Sequence, residues 1–327
     1  MTNSMSKALN YAALMLLATS IAVRAQTYPD RPITIVVPVS AGGPTDALAR
    51  TMAERMSSSL GQRVLVENVT GAAGNIGVSR VARANPDGYT IGIGLTSTHV
   101  FNGAIYHLPF DPVSDFEPVA LIASNPQFIV SKKAVPAKTL PELIAWLKDR
   151  PGGATMATIG VGSPAHIAGV LFQKVTGTQF QFIPYRGGAP GMQDLLAGQV
   201  DLMIVQPSLA LPQMKAGNIR AYAVTSSTRS PSAPELPSVD EAGAAGLHIA
   251  IWHGFWAPKG TPPLVVERLN AAVREALVDP AVRQRFAAMG QEIPSSDQQN
   301  PEALRNLQKT EITRWWPIIK TAGIKVD

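Results

Sequence analysis

Apolar and polar positions along this chain follow two rhythms that replace one another repeatedly. Ile33-Thr34-Ile35-Val36-Val37 is a short β-branched run, the mark of a buried strand. Ala47 to Met56 then repeats its apolar positions at helical spacing. The alternation continues with a strand at Arg63 to Asn68, a helix at Val78 to Arg83 and a strand at Tyr89 to Leu95. Strand and helix taking turns at this spacing predict a parallel sheet covered by helices. Leu108 to Pro118 is proline-rich and too irregular for a core element. Val119-Ala120-Leu121-Ile122-Ala123 and Gln127-Phe128-Ile129-Val130 read as a strand pair leaving this first unit.

A second α/β set follows. Helices are expected at Leu140 to Lys148, from Pro164 through Phe172, and at Met192 to Ala197. Strands are expected at Ala154 to Ile159, Gln179 to Pro184, Val200 to Val205 and Arg220 to Val224. Ile249 to Pro258 reads as a strand returning to the first unit, and helices near 263–277, 280–289 and 301–320 finish the chain. Leu304 and Trp315 are eleven positions apart, so they share one helix face and predict packing. The expected organisation is α/β: one lobe from 26–123 plus 252–327, and another from 124–251.

The junctions between strands and helices carry the candidate chemistry. Gly42-Gly43-Pro44 separates the first strand from its helix. Glycine turns the backbone sharply, and proline suits the first helical turn, where it forgoes no hydrogen bond. A helix start exposed in this way offers free N–H groups and a partial positive charge, which suit a carboxylate. Asp46 falls in the first turn as a cap or dipole partner. Gly162-Ser163-Pro164 repeats the pattern, and Gly187-Gly188-Ala189-Pro190, followed by Asp194, echoes it again. Two similar halves with such turns imply helix ends facing a common cleft. Thr96-Ser97-Thr98 sets hydroxyls at a strand's C-terminal end, where open α/β sheets bind ligands. Gly71-Ala72-Ala73-Gly74-Asn75-Ile76-Gly77 is spaced GxxGxxG rather than GxGxxG and follows the second strand. It therefore reads as close helix packing and not as a dinucleotide site.

Composition narrows the function classes. Hydrophobic residues make up 46% and charged residues 16%, which is ordinary for a globular chain with room for about two domains. Basic residues number 28 against 23 acidic, with no basic-aromatic stripe, so nucleic acid is not an expected partner. Cysteine is absent, which removes disulfides, thiolate nucleophiles and cysteine-held metals. Neither a cofactor nor a metal is expected. Residues 1–25 have the form of an export signal: Lys7, the apolar run Tyr11 to Val23, then Val23-Arg24-Ala25. That run is too short for the ~20 residues of a spanning helix, so cleavage after Ala25 is expected.

Taken together these segments resemble the Bug family of periplasmic solute receptors for tripartite tricarboxylate transporters. The resemblance rests on YPDRPITIVVPVSAGGPTDALAR, VENVTGAAGNIG, ANPDGYTIGIGLTSTHVFN, LPFDPVSDFEPVALIA, GVGSPAHIAG, YRGGAPGMQDLLAGQVDLM and FWAPKGTP, in that order along the chain. It implies a type II periplasmic-binding-protein fold: two α/β lobes joined by two crossing strands, closing on a small carboxylate. It implies contacts from Ala41, Gly42, Gly43, Thr45, Asp46, Thr96, Ser97 and Asn102 in the first lobe. From the second it implies Gly162, Ser163, His166, Tyr185, Arg186, Gly187 and Ala189. Similar proteins often carry an acid and then an amide after the Leu-Met strand, where this chain has Val205 and Gln206. Gln206 joins the candidate contacts, and the missing acid argues against a ligand with an ammonium group. A di- or tricarboxylate or an aromatic acid remains.

The implied protein is a monomeric periplasmic receptor that hands its solute to transporter membrane subunits. A receptor presenting solute to a membrane sensor kinase is the alternative. A periplasmic hydrolase is the least supported reading: GxSxG and HExxH are absent, and Ser163 with His166 lacks an acid partner.

Overall fold

A computed structural model describes residues 28–326, and the export-signal expectation lies outside them. Two five-stranded sheets form the frame. The first has the order β2-β1-β3-β10-β4: Ile33–Val37 (β1), Val64–Asn68 (β2), Thr90–Leu95 (β3), Phe116–Pro126 (β4) and Ala250–Pro258 (β10). The second has the order β7-β6-β8-β5-β9: Phe128–Lys132 (β5), Thr155–Thr158 (β6), Gln181–Pro184 (β7), Leu202–Val205 (β8) and Ile219–Val224 (β9). The two orders are equivalent. Each sheet has three parallel strands, then one antiparallel strand in fourth place. That antiparallel strand is β10, returning to the first sheet, or β5, arriving in the second. The fold is the two-lobed α/β type II periplasmic-binding-protein fold.

The helices follow the expected rhythm: Pro44–Leu60 (α1), Asn75–Ala82 (α2), Asn102–Ile105 (α3), Leu140–Lys148 (α4), Pro164–Thr176 (α5), Gly188–Leu196 (α6), Pro207–Lys215 (α7), Pro263–Val278 (α8), Pro280–Ala288 (α9) and Pro301–Thr321 (α10). Leu48, Met52 and Met56 of α1 pack with Leu269 and Val273 of α8 and Phe286 of α9 over the first sheet. Phe128, Met192, Leu195 and Met203 form a core within the second lobe. A third cluster runs through both lobes, from Phe172 and Met156 to Trp252, Trp256 and Trp315. Leu304 and Trp315 of α10 are fully buried on one face, as their spacing predicts. A β-carbon on Gly77 would lie 2.5 Å from Val69 O, so this glycine lets α2 sit close to the sheet.

Two features differ from the sequence expectation. Residues 119–123 and 127–130 are not paired with each other. They lie end to end as parts of β4 and β5, in different sheets, with Gln127 alone between them. The hydroxyl run at the end of β3 continues as helix, for which no element was expected: Ser97–Phe101 forms a π-type turn that leads into α3.

The lobes come close at two places. A β-carbon on Gly162 would fall 2.9 Å from Ile105 Cδ1, and one on Gly290 would fall 2.5 Å from Pro207 Cβ. The two crossings are joined by one buried side chain, Thr225. Its Oγ1 accepts from Gln127 N at 2.7 Å and donates to Ile249 O at 2.6 Å. Its backbone N–H donates to Gln127 O at 2.8 Å, and its carbonyl accepts from Ile249 N at 3.0 Å. Thr225→Val keeps the shape but leaves Gln127 N and Ile249 O without that oxygen. A stability loss of about 2–3 kcal/mol is expected, read as a lower denaturant midpoint.

Candidate functional site

Four helices begin where the two lobes face each other. Strands β1, β6, β7 and β8 run in parallel within their sheets, and each hands the chain at its C-terminal end to α1, α5, α6 or α7. A cavity of about 390 Å³ lies between the lobes. Its walls include Pro44 at the start of α1, Pro164 and Ala165 of α5, and Gly188 and Ala189 of α6. Gln206 and Ser208 at the start of α7 complete that set. Ile251 of β10 and Gln127 at the crossing close the space from behind. Each helix start has N–H groups without an intrahelical acceptor and the positive end of the peptide dipoles. Helix starts arranged in this way can receive an anion on main-chain N–H groups.

The turns before α1 and α5 share one construction. Gly42 and Gly162 both lie in the left-handed region, at φ +83° and +75°. In each, the residue after glycine is the N-cap and the next is a proline that opens the helix. In each, the side chain four residues on accepts from the glycine N–H: Gly42 N donates to Asp46 Oδ2 at 2.9 Å, and Gly162 N donates to His166 Nδ1 at 3.1 Å. The turn before α6 is built differently. Gly187 is the N-cap, Pro190 is already the third helical residue, and Asp194 accepts from Tyr185 Oη at 2.6 Å. The echo between 42–46 and 187–194 is therefore one of residue types, whereas the geometric match is between the first and second turns.

Asp46 is buried, and its carboxylate is fully engaged by the protein. It accepts from Gly42 N, from Arg50 Nε at 2.9 Å and from Asn68 Nδ2 at 2.9 Å. Burial opposes its ionisation, but hydrogen bonds from Arg50, Gly42 and Asn68 outweigh burial and hold its pKa at about 2. Asp46 braces the turn, and both it and the Gly42 N–H are committed inward. His166 accepts through Nδ1, so its proton sits on Nε2, and burial lowers its pKa. Ser163 Oγ accepts from His166 N at 3.2 Å as a helix cap. Ser163 and His166 thus form a capped turn with no side-chain bond between them, not a nucleophile and its base.

The remaining expected contacts divide by location. Ala189 and Gln206 are in the cavity wall. Ala41 and Gly42 are exposed and Gly43 half-buried on the turn that carries Pro44. Thr45 is buried, with Oγ1 3.1 Å from His253 Nε2, and burial lowers the His253 pKa to about 3. Thr96 is fully buried. Its hydroxyl donates to Ala250 O at 3.3 Å and accepts from Trp252 N at 2.9 Å. Asn102 Nδ2 donates to Ala73 O at 3.1 Å and Asn75 Oδ1 at 2.7 Å, which ties down the loop before α2. Ser97 is half-buried on the turn after β3. Thr96 and Asn102 serve the core. Tyr185 bonds Asp194, and burial with that carboxylate pushes its pKa up to about 12. Arg186 is exposed and Gly187 half-buried on the same loop. Sequence reasoning missed Gln127, Ile159, Met203, Ser208 and Ile251, all of which line the cavity. Ser208 alone had a signal, in Gln206-Pro207-Ser208 at a strand end.

A larger hollow of about 940 Å³ lies beside the edge strand β9. It has Lys138, Lys215, Arg220, Glu235 and Glu241 in its walls and meets only the start of α4, so it lacks the converging helix ends.

Residues 48–324 match the family described as "Tripartite tricarboxylate transporter family receptor". The chain belongs to this receptor family. Among solved structures, the periplasmic binding protein BugD is 40% identical with a TM-score of 0.79, covering 91% of this chain and all of its own. MatC from Rhodopseudomonas palustris, with bound malate, is 36% identical with a TM-score of 0.78 over 89% of this chain and 100% of its own. A second R. palustris protein, with adipate, is 36% identical with a TM-score of 0.81 over 91% and 100%. Tripartite tricarboxylate transporter receptors are solute-binding proteins, and converging helix ends supply what a solute-binding cleft needs.

Asp46→Ala removes the brace of the first turn. At pH 7 the loss is expected to be about 2 kcal/mol, after allowance for exposed Arg50. The Asp46 pKa is depressed in the folded state, so its contribution is full above pH ~4 and disappears as pH falls through about 2. Denaturation of both proteins across this range should show the gap narrowing towards acid.

Proposed function

We propose that this chain is a periplasmic solute-binding protein that captures a small carboxylate, a di- or tricarboxylate or an aromatic acid, between its lobes. It delivers that solute to the membrane subunits of a tripartite tricarboxylate transporter. In this reading, residues 1–25 direct export and are removed after Ala25, and the protein acts as a monomer. The observation that carries the proposal is the single cavity on which α1 of one lobe and α5, α6 and α7 of the other all start. Carboxylates bound in MatC and in the adipate-binding relative support it.

The ligand-binding residues proposed are the turns at 41–46 and 160–166, the loop at 185–189, and Gln206. Main-chain N–H groups at the helix starts donate to the carboxylate, while Asp46 and His166 hold their glycines in place. Ala41, Gly43, Thr45 and Ser97 act from the first lobe. Charge-assisted hydrogen bonds contribute about 1.5–3 kcal/mol each. Three or four of them offset the cost of ordering two lobes and leave roughly micromolar affinity. Ligand bridging both lobes favours the closed form, which the membrane partner reads.

Ala189→Trp tests this directly. Ala189 is exposed in the first turn of α6 and lines the cavity, so an indole there fills the space without entering the core. The variant is expected to keep its melting temperature and to lose at least tenfold in affinity for any carboxylate that calorimetry shows the parent to bind. Unchanged affinity would place the site elsewhere.

A further inference from the structure

Polar groups around the interlobe cavity differ in what they can offer a solute. The helix starts present N–H groups, which only donate. Ser208 has a hydroxyl that turns to donate or accept, and Gln206, whose side chain makes no cap bond, can present either end of its amide. Gln127 has no such choice. It is 2% exposed and lines the cavity at the crossing. Its backbone N–H donates to Thr225 Oγ1 at 2.7 Å, and its carbonyl accepts from Thr225 N at 2.8 Å. Its side-chain Nε2 donates to Asn125 O at 3.2 Å and to Asn125 Oδ1 at 2.9 Å. A main-chain carbonyl cannot donate, so this amide cannot be turned round. Asn125 is fully buried and stands opposite Ile251 in the ladder between β4 and β10, so the anchor lies on the face that Ile251 turns to the cavity.

The atom left over is Gln127 Oε1. Among the described residues no N–H or O–H donates to it, and it is not sealed in the core as Asn125 Nδ2 is, so it opens on the cavity. A solute that fills the cavity takes solvent from this oxygen and must return a hydrogen bond, because a buried acceptor left bare is costly. Hydrocarbon cannot return one. A further carboxylate cannot either, since it only accepts and would set oxygen against oxygen. A hydroxyl donates to Oε1 and adds no charge. An ammonium also donates, but it stands against the positive ends of four helices.

We infer that Gln127 is a specificity residue and that the solute is a hydroxy acid, its carboxylate on the helix starts and its hydroxyl donating to Gln127 Oε1. This rests on the cleft being a carboxylate site, and it applies to mono-, di- and tricarboxylates alike. The test is calorimetric titration of the intact protein with acids matched in carboxylates: malate against succinate, citrate against its deoxy counterpart tricarballylate, and 3- and 4-hydroxybenzoate against benzoate. Aspartate serves as the ammonium analogue of malate. In the set that binds most tightly, the hydroxy acid is expected to bind at least tenfold tighter than its counterpart, as a site built around a hydroxyl rejects the analogue without one. Gln127→Met keeps the side chain's length and removes the acceptor, and it is expected to bring that ratio close to unity. A smaller ratio in the parent, or tighter binding of aspartate than of malate, overturns the inference while leaving the carboxylate site standing. A folded Gln127→Met protein that keeps the parent's ratio also overturns it, and if that variant does not fold the parent's ratios decide alone. Failure of every acid to bind overturns the carboxylate site as well.

Discussion

Four helices starting on one uncharged space is the constraint from which the rest of the molecule follows. Helix starts carry partial positive charge, and like charges brought together repel. Three of these starts belong to one lobe and are fixed there by the parallel strands β6, β7 and β8. The fourth, α1, belongs to the other lobe, which meets the first at Ile105 with Gly162 and at Pro207 with Gly290. An anion between them converts a repulsive arrangement into an attractive one. If the lobes part, an anion held by both has a different interaction energy in the two forms, which is what the population shift of the proposed function requires. Specific side-chain cations would hold an anion equally well in either form if they sat on one lobe. Dipoles divided between two lobes would make binding depend on closure.

The twin turns at Gly42 and Gly162 show how an anion site can tolerate a carboxylate nearby. Asp46 stands four residues beyond Gly42, at the place His166 occupies beyond Gly162. Each takes its glycine's N–H, and each is turned away from the helix's free donors. At the first turn the negative charge is paired with Arg50 and takes a further hydrogen bond from Asn68, which lessens its repulsion towards an anion. At the second turn the brace is a neutral imidazole, kept so by burial. The same geometric job is done by two chemistries because only a fixed acceptor at that spacing is needed.

The frame was legible because its signals are local. Glycine in a left-handed conformation followed by proline at the helix start marks a turn in sequence as clearly as in space, which is why 42–44 and 162–164 were placed correctly. The hydroxyl of Thr96 has partners in the core. The chain turns helical there and buries Thr96 against β10, so its hydroxyl serves Ala250 and Trp252. The strand-borne part of the cavity wall was not legible. Met203, Val205 and Ile251 read as ordinary strand residues, and what separates wall from core is which strand end reaches the gap. Sheet order and the crossing at Gln127 decide that, and both are long-range.

Gln127 ties the site to the crossing. Its backbone is the link between β4 and β5, bonded on both its N–H and its carbonyl to Thr225, which follows β9 and also bonds Ile249 at the other crossing. Its side-chain amide donates to the Asn125 carbonyl at 3.2 Å and to Asn125 Oδ1 at 2.9 Å, and the residue lines the cavity. A carbonyl can only accept, so the amide nitrogen of Gln127 must face Asn125, and that orientation is fixed by chemistry. Gln127 is one of the two places where the chain passes between the sheets, and a solute in the cavity would lie beside it. The two crossings and the ligand space are therefore not separate parts joined by a distant route. They meet at one residue and its threonine partner, so a change in either crossing reaches the cavity through direct contact.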